Sequence, residues 1–336
     1  MYLEFYGLKE KPFNATPDPK FLYLTPGHRE ALAQLIYGVQ EHKGFIVLTG
    51  EVGTGKTTLV QTLLQKLDSN TAVAYVFNST LTFDELLEYA LQDFGIAKTG
   101  GSRVERLINL NNYLTERRRA GQNTALILDE AQNLEPDTLE QVRLLSNFET
   151  PTDKLLQILL VGQPELKDRL QSPRLRQLKQ RIGLRCAIPP MTAIETRDYI
   201  RTRLRIANGR DLNVFDDAAV RRIAEYAAGI PRVINIVCDH ALLIGYADQT
   251  RRVGREIVDR AIRYLEEGEL PSRQRRPLKS WFRSVPGGWT AGTMVASTVG
   301  ILAAAAMAPA AFAERWNSLL HSLFDLARLA HKLVGG

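Results

Sequence analysis

Residues 50–57 read Gly-Glu-Val-Gly-Thr-Gly-Lys-Thr, with glycine, lysine and threonine at the spacing GxxxxGK[ST]. Glycines at this spacing let backbone N–H groups turn inward around phosphate oxygens. A helix starting at the lysine adds a favourable partial charge. The apolar run at 45–49 ahead of it and the helical pattern Leu59, Val60, Leu63, Leu64, Leu67 behind it are the context the motif requires. The expected nucleotide-binding set is Gly50, Glu51, Val52, Gly53, Thr54, Gly55, Lys56, Thr57 and Thr58. Lys56 reaches the β- and γ-phosphates in this reading, and Thr57 ligates Mg²⁺, so ATP and Mg²⁺ are the expected ligands. A glycine-rich turn without a ligand is the competing reading, and the strand–turn–helix context argues against it.

Some 70 residues on, Ala-Leu-Ile-Leu-Asp129-Glu130 is an apolar strand that ends in two carboxylates. Asp129 is placed to complete the metal shell with Thr57, and Glu130 to polarise a water for in-line attack on a γ-phosphate. The bland alternative is a pair of strand-end carboxylates that cap the next turn. The second carboxylate favours hydrolysis over a passive nucleotide switch.

These groups need elements to hold them. Apolar β-rich runs at 45–49, 72–78, 124–129, 157–162 and 183–188 alternate with segments of helical period. Continuously apolar strands with helices between them indicate a parallel sheet covered on both faces. After Pro189 and Pro190 the strand patterns stop, and 191–268 reads as helices with breaks at Gly209 and Gly229. The expected organisation is a nucleotide-binding core at 1–190, a helical lid at 191–268, a basic linker at 269–288, an apolar span at 289–313 and an amphipathic tail at 314–336.

The chain has 336 residues and a formal charge of +6. Residues 269–336 carry eight basic and three acidic side chains, which leaves +1 for the first 268. The excess therefore belongs to the tail, where 30 uncharged residues separate Arg283 from Glu314. The 25 residues of 289–313 are long enough to cross a bilayer as a helix, although ten are alanine. Five basic residues precede this span without an acidic one, so the positive-inside bias leaves the larger N-terminal part in the cytoplasm. An alanine-rich soluble helix is the alternative. Basic residues beside such a span are explained by anionic lipid, and they say little about nucleic acid. Cys186 and Cys238 lie far apart among apolar neighbours and read as buried, reduced thiols. Arg117, Arg118 and Arg119 precede Gly121, where cations suit the end of a helix.

The chain resembles the ExeA/GspA-like secretion ATPase family of AAA+ proteins, related to ATPases of pilus and exosortase-linked polysaccharide systems. The stretches that carry this are FYGLKEKPFNATPDPKFLYLTPGHREAL (5–32), GFIVLTGEVGTGKTTL (44–59), LILDEAQNL (126–134), LLVGQPEL (159–166), RLRQLKQRI (174–182) and GIPRVINIVCDHALL (229–243). The resemblance implies a P-loop NTPase of AAA+ type, an αβα sandwich with parallel strand order 5-1-4-3-2, with a helical lid. To this the tail adds the C-terminal transmembrane helix.

The resemblance also assigns roles. Gln163 orients the attacking water or senses the γ-phosphate. Arg181, with Arg176 as the alternative, is an arginine finger acting on a neighbouring subunit. Arg232 is a lid arginine that reaches the γ-phosphate, and Tyr23 and His28 lie near the adenine. The implied assembly is a homo-oligomeric ring, by analogy a hexamer, on the inner membrane, in contact with lipid and with envelope secretion or assembly proteins. Family members often carry a large periplasmic peptidoglycan-binding domain. About 23 residues follow Ala313 here, so that role is not carried over. A DNA-handling regulator of the transposition or replication type is the competing function, and a scaffold that uses ATP only to oligomerise is a third.

Overall fold

The structure, a computed structural model, describes residues 2–14, 18–77, 80–96, 101–208 and 212–268, all within one unit spanning 1–272. The basic linker 269–288, the span 289–313 and the tail 314–336 lie outside the described residues, as does the expected break at Gly209. Among the described residues, no helix is long and apolar enough to cross a membrane.

A short helix α1 (Tyr2–Tyr6) and the helix α2 (Pro26–Gln40) precede strand β1 (Phe45–Gly50). Helix α3 (Lys56–Lys66) leads to β2 (Thr71–Val76), and α4 (Phe83–Asp93) and α5 (Arg103–Arg119) lead to β3 (Asn123–Leu128). Then come α6 (Pro136–Leu145), β4 (Gln157–Gly162), α7 (Pro164–Arg169), α8 (Arg176–Arg181) and β5 (Ile182–Ile188). Each strand expected from the sequence is present, its ends moved by about two residues at most. The sheet is parallel throughout, in the order β2-β3-β4-β1-β5, the 5-1-4-3-2 order of the P-loop AAA+ fold.

Strand alternation divides the core. Phe45, Val47, Leu126, Leu128, Ile158 and Leu160 face α4, α5 and α6, whereas Ile46, Leu48, Ile127, Leu159 and Val161 face α2 and α3. Burial on both faces is why the central strands read as unbroken apolar runs. Between β1 and β5 the register slips, so that Phe45 pairs Ile182 and Ile46 pairs Leu184. The skipped residue is Gly183, where a Cβ would lie 2.5 Å from the Lys43 carbonyl oxygen. Helix α5 ends at Arg119, with the three arginines in its last turn as expected.

Past Pro189 and Pro190, Thr192 and Glu195 form a capping box that starts α9 (Ala193–Ile206). It is followed by α10 (Asp217–Ala227), α11 (Pro231–Ala247) and α12 (Arg255–Glu267). These four helices share an apolar cluster that also takes in Tyr2, Tyr6, Phe13 and Phe21 from the N-terminal segment. The chain therefore passes from the core of this helical cluster to the sheet's core as α2 begins.

Leu35, fully buried on α2 against the sheet, tests this packing. Leu35→Ala is expected to cost about 2–5 kcal/mol by leaving a cavity, read as a shifted urea midpoint with an unchanged slope.

Candidate functional site

All the chemistry-bearing loops leave the same edge of the sheet. The glycine-rich loop follows β1, Asp129 and Glu130 follow β3, Gln163 follows β4 and Met191 follows β5. Crevices at the carboxyl ends of parallel strands are where ligands sit in open α/β sheets. A cavity of about 440 Å³ opens here, between the loop, the N-terminal segment and helices α9 and α11.

The loop is held from several sides. Gly55 takes φ 95° at the start of α3, and the Lys56 ammonium donates to the carbonyls of Gly50 (2.8 Å) and Glu51 (3.1 Å). Lys56 is buried, and that burial lowers its pKa against the opposing pull of Glu130, Asp129, Glu51 and Glu165. His28 braces the loop from α2. Its Nε2–H donates to the Thr54 carbonyl at 2.9 Å, so its Nδ1 accepts from the Thr25 hydroxyl at 2.7 Å. Thr25 in turn caps α2 by accepting the His28 backbone N–H. Two turns of structure thus lock one tautomer of one ring.

Asp129 is buried, and its two oxygens have separate tasks. Oδ1 accepts the Glu130 N–H at 2.9 Å, while Oδ2 accepts the Thr57 hydroxyl at 3.3 Å and the Tyr75 phenol at 2.8 Å. Burial and the Asp129 carboxylate push the Tyr75 phenol far above its ordinary range. Sequence reasoning missed Tyr75. Its one signal is a tyrosine near the end of β2, in register with Ile127 two residues before Asp129.

Glu130 adopts φ 52°, ψ 35°, a left-handed backbone that costs a non-glycine residue about 1–2 kcal/mol. Its Oε2 accepts from the amides of Gln132 (2.6 Å) and Gln163 (3.2 Å). Gln132 also accepts the Gln163 backbone N–H at 3.1 Å, and Arg169 donates to its carbonyl. Gln132 is a second residue that sequence reasoning quoted without a role. A buried glutamine two positions after the strand-end pair is its only signal.

Arg232 begins α11 directly on the loop. Its N–H donates to the Gly53 carbonyl at 3.3 Å, and a Cβ on Gly53 would lie 2.7 Å from the Arg232 Cβ. The Arg232 guanidinium lines the cavity and bonds to no described residue. Tyr23 lines the cavity too, edge-on to Tyr199 at 5.8 Å. Val52 and Thr58 line the same wall, whereas Gly50 and Glu51 of the expected set do not line the cavity and meet Lys56 through their carbonyls.

Arg181 is elsewhere. It ends α8 and donates to the Ser146 hydroxyl and the Asn147 side-chain carbonyl, both at 2.6 Å. The seven residues of β5, about 20 Å of strand at ~3.3 Å per residue, separate it from the cavity. Arg176, exposed at the start of α8, bonds to no described residue and does not line the cavity either. The structure brings Lys56, Thr57, Asp129, Glu130, Gln163 and Arg232 together, and neither of these arginines joins them.

The donor set fits a divalent cation. A threonine hydroxyl and a carboxylate converging within 3.3 Å of each other are the hard oxygen ligands that Mg²⁺ prefers.

Residues 39–170 match the AAA domain family. Over 254 residues the chain is 42% identical to General secretion pathway protein A of Aeromonas hydrophila, covering 75% of this chain and 46% of that protein. It is 26% identical over 169 residues to an uncharacterized HTH-type transcriptional regulator of Methanocaldococcus jannaschii, covering 48% of this chain and 40% of that one. The chain thus spans less than half the length of these curated relatives. Among solved structures it is similar to the Aeropyrum pernix ORC2 protein, with a TM-score of 0.55 at 19% identity over 76% of this chain and 71% of the other. That likeness is one of fold.

Burial lowers the His28 pKa below 6.5, although the Thr54 carbonyl and Glu195 pull the other way. The folded chain holds the neutral ring, so the unfolded chain takes up the proton first as pH falls. The stability from this ring is complete above 6.5 and is lost on acidification below it. Between about pH 7 and about pH 5.5, the fall in urea-unfolding free energy is expected to be smaller in His28→Gln than in the wild type.

Proposed function

Because this chain belongs to the ExeA/GspA-like family of AAA+ proteins, we propose that it hydrolyses ATP, with Mg²⁺, to drive assembly or operation of a cell-envelope secretion system. The observation that carries the reading is the convergence of Lys56, the Thr57–Asp129 pair, Glu130 and the lid's Arg232 on one cavity. Glycine-loop amides and Lys56 hold the phosphates. Thr57 and Asp129 would hold the cation, which would neutralise phosphate charge when bound. Glu130 has one oxygen fixed by Gln132 and Gln163, and the other has no partner among the described residues. That oxygen orients the attacking water. Arg232 stabilises charge on the departing phosphoryl group from the lid side.

The proposed working form is a homo-oligomer, a ring with the hexamer as the reference case. Arg181 or Arg176, far from the cavity of its own chain, then completes the site of a neighbour. Residues 289–313 anchor the chain in the inner membrane, with the ATPase on the cytoplasmic side. Its partners are lipid and secretion proteins. No observation favours the DNA-handling alternative, since the first 268 residues carry a net charge of only +1 and the likeness to ORC2 rests on 19% identity.

Glu130→Gln is expected to lower ATP turnover by at least a hundredfold while leaving nucleotide binding intact, and Lys56→Ala to lose both. Steady-state phosphate release and fluorescent-nucleotide titration separate the two, and full turnover in Glu130→Gln defeats the mechanism. Deleting 269–336 is expected to move the protein from the membrane pellet to the supernatant after ultracentrifugation. Retention in the pellet after that deletion removes the anchor from the proposal.

A further inference from the structure

The cavity does not end at the glycine-rich loop. Its far wall is built from α9, α11 and the N-terminal segment, and it holds a cluster that the phosphate chemistry does not use. Arg203 on α9 is 7% exposed, and its hydrogen bonds among the described residues go to neutral oxygens. Its guanidinium donates to the Pro12 carbonyl at 2.5 Å and to the Tyr199 oxygen at 2.6 Å, and lies over the rings of Phe21 and Tyr199. The Tyr199 hydroxyl, having accepted from Arg203, turns its own proton to Oδ1 of Asn235 at 2.8 Å. Burial raises the Tyr199 pKa against the Arg203 charge and keeps that proton in place.

This relay has a direction. Donation runs from Arg203 to Tyr199 to Asn235, so the carboxamide oxygen is occupied and the amide nitrogen is left over. Asn235 is 9% exposed, lines the cavity, and its Nδ2 bonds to no described residue. That N–H₂ group opens onto the cavity, where it is free to donate to a ligand. Asn235 also lies three residues after Arg232, on the same face of α11. The guanidinium therefore stands at the phosphate end of the cavity and the amide one turn farther in, where a nucleotide anchored on the loop places its base.

We propose that Asn235 reads the nucleobase, donating Nδ2–H to a ring nitrogen of adenine, with Tyr199 and Arg203 as positioning residues that fix the amide's orientation. The inference rests on the nucleotide reading above. Adenine offers a ring-nitrogen acceptor on every edge, whereas the Watson–Crick edge of guanine opposes a donor with its own N1–H. Guanine keeps acceptors at N3, N7 and O6, so a fixed donor accepts adenine and turns away guanine where it meets N1.

The test is competition titration on the full chain with ADP, GDP, inorganic tripolyphosphate and the 1-deaza, 3-deaza and 7-deaza analogues of ADP. In the wild type, at least one deaza analogue is expected to bind about tenfold more weakly than ADP. Equal binding of all three overturns the proposal without any variant. Asn235→Ala is expected to weaken ADP about ten- to a hundredfold while tripolyphosphate binds as before, and to narrow the gap to GDP where 1-deaza-ADP is the weakened analogue. Tyr199→Phe is expected to narrow the gap between ADP and its weakened deaza analogue, because the Asn235 amide is then free to turn. Undiminished ADP binding by Asn235→Ala, or an equal loss for tripolyphosphate, overturns the base-reading role. A wild type that binds neither ADP nor tripolyphosphate defeats the nucleotide reading itself, and the inference with it.

Discussion

The glycine-rich loop and the lid meet backbone to backbone at Gly53, and the site depends on that contact. Gly53 takes φ 81°, and its missing Cβ leaves room for the first turn of α11 to lie on the loop. The Arg232 N–H reaches the Gly53 carbonyl only because of that room. With α11 seated there, one face of a single helix presents a cation at the phosphate end of the cavity and an amide deeper in. On the far side, Met191 leaves β5 and donates its N–H to Gly229 at the turn into α11, at 2.9 Å. One main-chain hydrogen bond thus joins the loop to α11, and another ties the segment after β5 to the turn before that helix. Arg232 belongs to both the first of these bonds and the site, so anything that draws its guanidinium toward the loop also loads that bond.

What could be read in the sequence follows from how local each signal is. The five strands were legible because strands buried on both faces must be apolar along their whole length, and the loops after β1 and β3 announce themselves by composition. Their convergence follows from topology, since parallel strands deliver all their C-terminal loops to one edge. Tyr75 and Gln132 were not legible. Each acts through a contact made across the sheet or across a turn, to Asp129 and to Glu130 respectively, and neither residue type is rare in a strand or a turn. The relay of Arg203, Tyr199 and Asn235 joins two helices with the N-terminal segment, and no pattern in any one of them reports it. Arg181 shows the converse. Its place before β5 was readable, but its hydrogen bonds to Ser146 and Asn147 and its distance from the cavity are tertiary facts.

The left-handed Glu130 links these observations in energy. Such a backbone persists in a non-glycine residue only when its surroundings over-determine it. Here they do. Asp129 takes the Glu130 N–H, two glutamine amides take its carboxylate, and Arg169 ties the Gln132 carbonyl to α7, which follows β4. The strain aims the carboxylate across the gap between β3 and β4, the place where a γ-phosphate held by the loop after β1 would project.

The N-terminal segment has the last part in this arrangement, because it belongs to both halves of the site. Tyr2 and Tyr6 tie α1 to the lid through Asp239 (2.5 Å) and the Thr250 carbonyl (3.0 Å), and Phe13 packs edge-on against Phe215. Arg203 holds the Pro12 carbonyl at the lid end, and His28 holds the Thr54 carbonyl at the core end. Between these two grips the chain supplies Phe21 and Tyr23 to the cavity wall. The segment is therefore held at one end by the helical cluster and at the other by the glycine-rich loop. A grip at each end and aromatic side chains between them make this stretch of chain both a wall of the cavity and a tie between the helices and the loop that bound it.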